Sequence, residues 1–476
     1  MTKKFNMLHM LEISNVMDDA KQILENHGVE IESPKVVNLL KKAGAKIVNN
    51  PNRDHPTALI SEDLLYKCID SVPEEFKMYD RFGNESATIG GDHVNYTPGS
   101  CGTNYYDAKT DTHRRATEHD LTEIVRVSDS LKNMAMVSTS VVVDQTPASI
   151  QDLYRLRIVL NNSTKPIVTG TFVDNLEAMK DMLVVVRGSE EELKKKPFAI
   201  FDCCPSPALK WPRIWGEDVM NCAKYGIPVE FISMPQPGLS SPPLLYDSVV
   251  QHTAETLSGV VISQCSNPGA PLIYGGSPTM VNHASMGMTA LLGDIGTMRM
   301  DLAYISIAKH LCLPCQCYLG LSDSKRIDVQ AGYEKGMSIL LTAMAGVNNV
   351  SGPGMLESEN CQSKEMIVID DEICGMAFNF IQGLPKKSKH TVDDIVLMAE
   401  EKTVDPDRIQ YLRDDTEFHR SKVADKEILG LWQKNGRKSM LDNAIERTEE
   451  ILNKYTPNPL SIEQQNDINK IIESKQ

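Results

Sequence analysis

The spacing of apolar residues along this chain changes twice, and the changes divide it into three stretches. Over residues 16–26 and 34–42 apolar side chains recur three and four positions apart, which predicts amphipathic helices. A turn-rich stretch follows, IGGDHVNYTPGSCGTNYYDAKTDTHRRAT, and predicts a hairpin, because glycine, proline, asparagine and aspartate supply the backbone angles that turns need. Residues 1–130 are therefore expected to form a helical cap with a hairpin.

From residue 131 one unit keeps returning: a short apolar run, a polar loop, then an amphipathic helix. Runs at 134–137, 166–169, 198–202, 228–232, 271–274, 313–318 and 347–350 predict seven strands, spaced as βα units of a parallel sheet are. An open doubly wound sheet gathers its functional loops at one switch point. Here nearly every predicted strand ends in unusual polar chemistry: STS, TGTF, DCCPSP, SMPQPG, YGGSP, GLSDS and SGPG. A ring of such loops along one rim is what an active site on a closed barrel requires. The expected class is therefore α/β, a (β/α)8 TIM barrel over residues 131–390, with the eighth strand either at 366–369 or in the hairpin near Tyr96. From 391 the pattern is helical again. SMLDNAIERTEEILNKY reads as a charged amphipathic helix, so residues 391–476 are expected to be a helical extension packed on the barrel.

One stretch combines two unusual features. In DVQAGYEKGMSILLTAMAGVNNVSGPGM, a helix predicted over 330–346 puts Tyr333, Met337, Leu340, Leu341 and Met344 on one face, while Gly336, Ala343 and Gly346 keep the rest slim. Such a helix is expected to lie close against something. The following Ser351-Gly352-Pro353-Gly354 leaves the backbone nearly uncovered.

Composition narrows the function classes. Of 476 residues, 41% are hydrophobic and 24% charged, as in ordinary globular proteins. A net charge of −15 argues against nucleic acid or an anionic membrane surface as partner. The start, MTKKFNMLHM, lacks the apolar core of a signal peptide and no run is long enough to span a bilayer, so a cytoplasmic location is expected. The eleven cysteines are then expected to be free thiols. Cys203 with Cys204, and Cys312 with Cys315 and Cys317, raise the question of zinc. No pair of C-x-x-C motifs and no suitably spaced histidines accompany them, and no metal is expected.

Four segments in order, GIPVEFISMPQPG, NPGAPLIYGGSPTM, LGLSDSKRIDVQAGYEKG and AGVNNVSGPGML, resemble the trimethylamine methyltransferase family of corrinoid-dependent methyltransferases, and the resemblance runs from ILENHGVEI to ILNKYTPNPL. It implies a (β/α)8 barrel that passes a methyl group from an amine to the Co(I) state of a corrinoid (cobalamin) presented by a partner protein. It also implies no corrinoid stably bound by this chain itself, and a homo-oligomer. DTHRRA comes within one residue of the D-x-H-x-x-G pattern of corrinoid-binding proteins, but Ala116 replaces the glycine and the stretch falls in the predicted hairpin.

Founding members of that family carry pyrrolysine; every residue here is standard. A tertiary amine attacked directly would have to expel a strongly basic amide, whereas a quaternary amine leaves as a neutral tertiary amine. The resemblance is therefore to the non-pyrrolysine branch. It implies glycine betaine, proline betaine, carnitine or a close relative, demethylated by in-line displacement in anaerobic methylotrophy. That step demands no acid, base or metal, so no catalytic residue is assigned; positioning and a dry pocket are expected to carry the rate.

A quaternary ammonium cannot donate a hydrogen bond from nitrogen and is held by aromatic faces and a carboxylate. Glu230 in IPVEF is the candidate anion, because a carboxylate in a barrel strand is costly unless a cation meets it; a salt bridge to a protein arginine is the other explanation. Tyr96, Phe172, Tyr274 and Tyr318 are the candidate cage, with Trp211 and Trp215 behind them. Glycine-betaine members tend to have Arg where this chain has Gln316 and His where it has Ser351, which shifts the expectation to proline betaine or carnitine. Asp323, Gln330, Gly352 and Gly354 are expected on the corrinoid-facing rim, the glycines so that a bulky group can come close. The alternatives are a zinc-dependent methyltransferase using Cys203, Cys315 and Cys317, and a non-catalytic quaternary-ammonium-binding protein.

Overall fold

A computed structural model of the chain describes residues 5–384, 391–401, 419–456 and 458–475. Its centre is a set of eight short strands: β1 (Tyr96–Thr97), β2 (Val137–Ser138), β3 (Ile167–Gly170), β4 (Ala199–Cys203), β5 (Val229–Phe231), β6 (Leu272–Ile273), β7 (Gln316–Cys317) and β8 (Asn349–Ser351). Strands β2 to β6 form one parallel sheet, and β7, β8 and β1 form another. One parallel bridge joins the strands at each seam, Tyr96 with Met134 and Tyr274 with Cys315, and Gly102 bridges Val141 just beyond the first. Neighbours therefore follow in cyclic order from β1 to β8 and back to β1.

Each strand is followed by a helix: α1 (Glu118–Ser130), α2 (Gln151–Asn162), α3 (Leu176–Arg187), α4 (Arg213–Tyr225), α5 (Leu245–Ser266), α6 (Ile295–His310), α7 (Val329–Ala345) and α8 (Lys364–Ile381). Local chemistry starts several of them. Thr117 and Asp120 form a capping box at α1, and Asp294 and Asp328 accept backbone N–H groups at the starts of α6 and α7. Each of the seven predicted apolar runs contains or adjoins a strand of the ring. The remaining strand comes from the turn-rich stretch before residue 131. Residues 366–369, considered for the eighth strand, lie inside α8. That helix packs between α7, α1 and the C-terminal helix Met440–Lys454, and a helix segment buried on all sides has no period that separates it from a strand.

The ring is closed off at the N-terminal ends of its strands. Met78, Ala87 and Ile89, from the hairpin Glu75–Tyr79 and Glu85–Gly90, pack against Met136, Val168, Ile200 and Ile273 inside the ring. At the other end, the hairpin Asn104–Asp107 and Thr112–Arg115, which contains the DTHRRA stretch, joins Met355–Leu356 and Cys361–Gln362 in a four-stranded sheet. The N-terminal helices Met10–Gln22 and Glu62–Ile69 lie outside, against α5, every residue of which from Ser248 to Gln264 is buried. Met440–Lys454 packs on α8 and α1, and Ile462–Glu473 on α3. Among the described residues no helix is long and apolar enough to cross a membrane.

Helix α7 packs closely, but not through its whole apolar face. It buries Glu334, Lys335, Ser338 and Thr342 with Ala331, Ile339 and Ala343, while Tyr333 and Met337 are 58% and 46% exposed. Partners explain the burial of the polar positions. Lys335 Nζ meets Asp370 Oδ2 of α8 at 2.9 Å and Gly320 O at 2.7 Å, and Glu334 accepts from Ser322 Oγ at 2.5 Å and from the Asp323 N–H at 2.9 Å. Periodicity locates an apolar stripe, but polar positions are buried as well when their neighbours satisfy them.

The bare glycines are also required by the protein's own close packing. A Cβ built on Gly352 would stand 2.0 Å from Leu319 O, and one on Gly354, at φ +86°, would stand 2.0 Å from Gln362 Oε1. Gly352→Ala is accordingly expected to lower the melting temperature sharply or to abolish soluble expression. Gly332→Ala, on the exposed face of α7 with nothing within 4 Å of the new Cβ, is expected to stabilise by about 0.5–1 kcal/mol. Thermal melts of the two variants check this contrast; an unchanged melting temperature for Gly352→Ala would contradict the packing role.

Candidate active site

Alternation along each strand decides which side chains enter the ring. Above the apolar base the next inward positions are polar: Ser138, Asp202, Glu230, Gln316, Asn349 and Thr97. Thr97 Oγ1 donates to Asn349 Oδ1 at 2.9 Å, and Asn349 Nδ2 donates across the ring to Glu230 Oε2 at 2.8 Å and to Ser351 Oγ at 3.1 Å. This chain of bonds commits Oε2 as an acceptor. Apart from the hydrogen bond that Asp202 and Glu230 share, Glu230 Oε1, Asp202 Oδ1 and Gln316 Nε2 are buried with no hydrogen-bond partner.

Register places Asp202 directly beside Glu230 on the neighbouring strand. Glu230 is 0% exposed, and the groups that act on its charge are Asn349 and Asp202, with no protein cation among the described residues. The salt bridge considered from the sequence is therefore not its explanation. Burial pushes the Glu230 carboxyl up to about 8, against the hydrogen bonds from Asn349 and Asp202. Burial, then the charge of Glu230, holds Asp202 well above the usual carboxylate range, and the two titrate as a pair. Glu359, on the β8–α8 connection, is pushed up to about 7 by burial. Its charge reaches Asp202, Cys101, Cys204 and Tyr318. Three carboxylates thus converge, and Asp202 and Glu359 remain only half-buried.

An apolar tier sits above them, formed by Tyr318, Ile232, Leu292, Leu321 and Met355. Tyr318, with the three carboxylates acting on it, is the cage candidate that faces the acids. Tyr96 and Tyr274 do not face them. Tyr96 OH donates to Ile339 O of α7 at 3.1 Å and its ring meets Phe378 of α8 edge-on at 5.3 Å. Tyr274 lies against His252 of α5 at 5.5 Å and Tyr304 of α6 at 6.1 Å. Alternation turns both outward into the helix layer. Phe172 is 44% exposed, with the Arg155 guanidinium 5.1 Å over its ring, so that face is already taken by a protein cation. Trp211 packs edge-on against Phe231 at 6.1 Å and donates to Ser258 Oγ at 2.8 Å, also in the helix layer; Trp215 donates to Thr171 O at 3.2 Å.

The other candidates separate similarly. Cys203, Cys315 and Cys317 are buried in the main core behind the ring, and burial pushes the Cys203 and Cys317 thiols well up. Among the described residues no group of three or more His, Cys, Asp or Glu could hold a metal ion. Gln316 lies inside the ring, its Oε1 accepting from the Gly276 N–H at 3.0 Å, and Ser351 is buried beside Asn349. Asp323 Oδ1 accepts from the Gly293 N–H at 3.0 Å and from Ser358 Oγ at 2.8 Å, while Gln330 donates to Glu334 Oε1 at 2.9 Å. Both line a cleft of about 670 Å³ between the starts of α6 and α7.

The sequence reading passed over Asp202, Asn349 and Glu359. Asp202 carries the signal that singled out Glu230, an acid inside an apolar strand; Asn349 and Glu359 carry none.

The model of the trimethylamine methyltransferase (MTTB) family matches residues 1–476. The chain belongs to this family. Its members work with a separate corrinoid protein. The trimethylamine methyltransferase of Methanosarcina barkeri is 28% identical over 498 aligned residues, covering 98% of this chain and 96% of that protein. The trimethylamine methyltransferase of Desulfitobacterium hafniense is 27% identical over 457, covering 94% and 90%. A glycine betaine methyltransferase of Desulfitobacterium hafniense is 24% identical over 471, covering 97% and 95%. Among solved structures, the monomethylamine methyltransferase of Methanosarcina barkeri superposes with a TM-score of 0.53 at 10% identity, over 98% of this chain and 92% of that one, a likeness of fold.

Burial sets a pH dependence for this family member. The folded Glu230 carboxyl, near 8, lies above its ordinary 4.5, so its contribution to stability is complete below about 4.5 and is lost as pH rises through about 8. In Glu230→Gln the amide oxygen can accept from Asn349 while its NH2 donates to Asp202. Melting temperatures of wild type and variant are expected to be close near pH 5, with the variant increasingly the more stable toward pH 8.5. A gap independent of pH would show that Glu230 does not titrate in this range.

Proposed function

We propose that this chain demethylates a quaternary amine of the betaine type and hands the methyl group to the corrinoid of a separate protein, with its eight strands closed as a (β/α)8 barrel and the reaction at the strands' C-terminal ends. One observation carries the reading: Glu230 and Asp202 lie side by side inside the ring, each with an oxygen that no residue outside the pair satisfies, and no protein cation meets Glu230. A buried carboxylate without a cation is unfavourable, and a ligand cation relieves it. The cyclic strand order supports the barrel. All-standard residues and the glycine betaine methyltransferase relative support a quaternary substrate over trimethylamine. Gln316 and Ser351, where glycine-betaine members tend to have Arg and His, support proline betaine or carnitine. The reading places the reaction in the cytoplasm, in anaerobic methylotrophic demethylation.

On this reading each group has a simple task. Glu230 and Asp202 attract the ammonium, Tyr318 offers a ring face to it, and Ile232, Leu292 and Met355 exclude water so that the attraction is not screened. A corrinoid, when presented, supplies a Co(I) nucleophile that accepts the methyl group. The amine left behind is neutral and is no longer held by the carboxylates, so the charge that binds substrate also favours product release.

Two measurements test the proposal. Mixed with Co(I) corrinoid and a panel of amines, the protein is expected to produce methyl-cobalt absorbance with quaternary amines and not with trimethylamine; turnover of trimethylamine alone would overturn it. Glu230→Gln is expected to weaken quaternary ammonium binding by about 1–3 kcal/mol. In the wild type near pH 7, binding should release protons, because the cation favours the ionised form of a carboxyl near 8. Calorimetry in buffers of different ionisation enthalpy reads both.

A further inference from the structure

Arg155 lies on the first turns of α2, at the C-terminal end of the ring, and is 1% exposed. Its guanidinium forms no ion pair with a carboxylate among the described residues. One Nη donates to Thr139 O and stands 3.7 Å from Cys101 Sγ; Nε–H has no partner. The ring of Phe172 covers one face. Asp152, the acid nearest in sequence, does not complete it. Asp152 Oδ2 accepts from the Phe172 N–H at 2.9 Å, the Val173 N–H at 3.4 Å and Asn175 Nδ2 at 3.4 Å, so it fixes the loop that carries Phe172.

A fully buried guanidinium with a free N–H is as unfavourable as a buried carboxylate without a cation. At this end of the ring such groups lie within reach of each other's charge. Arg155 acts on Asp202, on Cys101 and on Asp152, whose Oδ1 is also unpartnered, and Asp202 is the neighbour of Glu230. Arg155 and these acids do not pair, because Thr139 O and Phe172 hold the guanidinium where it is. A short molecule with a cation at one end and a carboxylate at the other satisfies both.

We propose that Arg155 binds the carboxylate of the substrate, which is therefore a carboxylate-bearing quaternary ammonium spanning the Glu230–Asp202 pair and Arg155. The proposal rests on the reading of Glu230 as partner of the substrate cation. It supplies from α2 the cationic group that β7 and β8 lack, where Gln316 and Ser351 stand.

The test compares two ligands with one head group, N,N-dimethylproline and N,N-dimethylpyrrolidinium, by titration calorimetry of the full chain without corrinoid. Wild type is expected to bind the zwitterion about 10- to 100-fold more tightly, the range for hydrogen bonds to a charged group. Arg155→Gln should remove that preference and leave pyrrolidinium binding unchanged or slightly stronger. Arg155→Lys, which keeps the charge without the fork, should retain part of it. Equal loss of both ligands in Arg155→Gln, or no preference in wild type, overturns the proposal while leaving Glu230 as the cation's partner. Failure of wild type to bind either ligand overturns both. Should Arg155→Gln not fold, the wild-type preference and the Arg155→Lys variant decide.

Discussion

Two carboxylates lie side by side inside the ring, Glu230 buried and Asp202 half-buried, with no ion pair to either among the described residues, and the rest of the site is arranged around that unfavourable fact. Asn349, held by Thr97, satisfies one oxygen of Glu230 and reaches no further. Apart from each other, the remaining acceptors, Glu230 Oε1 and Asp202 Oδ1, have no protein partner. Left alone, the pair lowers its cost by keeping protons well above the usual carboxylate range. A bound cation lowers it by letting the protons go. The same low dielectric that makes the uncompensated pair costly would strengthen its attraction for a cation.

Two other buried charges have direct partners. Lys335 and Asp370 are both wholly buried between α7 and α8 and meet at 2.9 Å, with Gly320 O and the Gly354 N–H completing the cluster. Glu255 accepts from Ser233 Oγ, the Leu209 N–H and Gln251 Nε2. Buried polar atoms without a partner occur elsewhere too, on Asp152, Asp370 and Arg187 among others, but those of Glu230, Asp202 and Arg155 belong to the same end of the ring. The base of the ring is apolar and plugged by a hairpin, so only its upper tiers are free for chemistry.

The ring itself rests on little strand. Two to five residues per strand and one bridge at each seam are enough because the helices around it are heavily buried, α5 almost throughout. Short strands leave the interior divided cleanly into an apolar base, a polar belt and an apolar upper tier. An inward position is then either packing or site, according to its height along the strand.

The sequence alone carried the repeat of strand, loop and helix, because parallel strands buried on both faces read as continuous apolar runs and each helix keeps its own period. It also marked Glu230, since an acid interrupting such a run needs a cation from the protein or from a ligand, and by the same logic it contained Asp202. What it did not carry was phase. A shift of one residue along a strand exchanges inside for outside, and this alone separates Tyr318, beside the acids, from Tyr96 and Tyr274, which pack against helices. The burial of the polar stripe of α7 depended on Asp370 and Ser322, the need for Gly352 on Leu319 O, and the isolation of Arg155 on Thr139 and Phe172. Each of these is a pairing between segments whose meeting no local pattern encodes, and so the tertiary structure alone decided them.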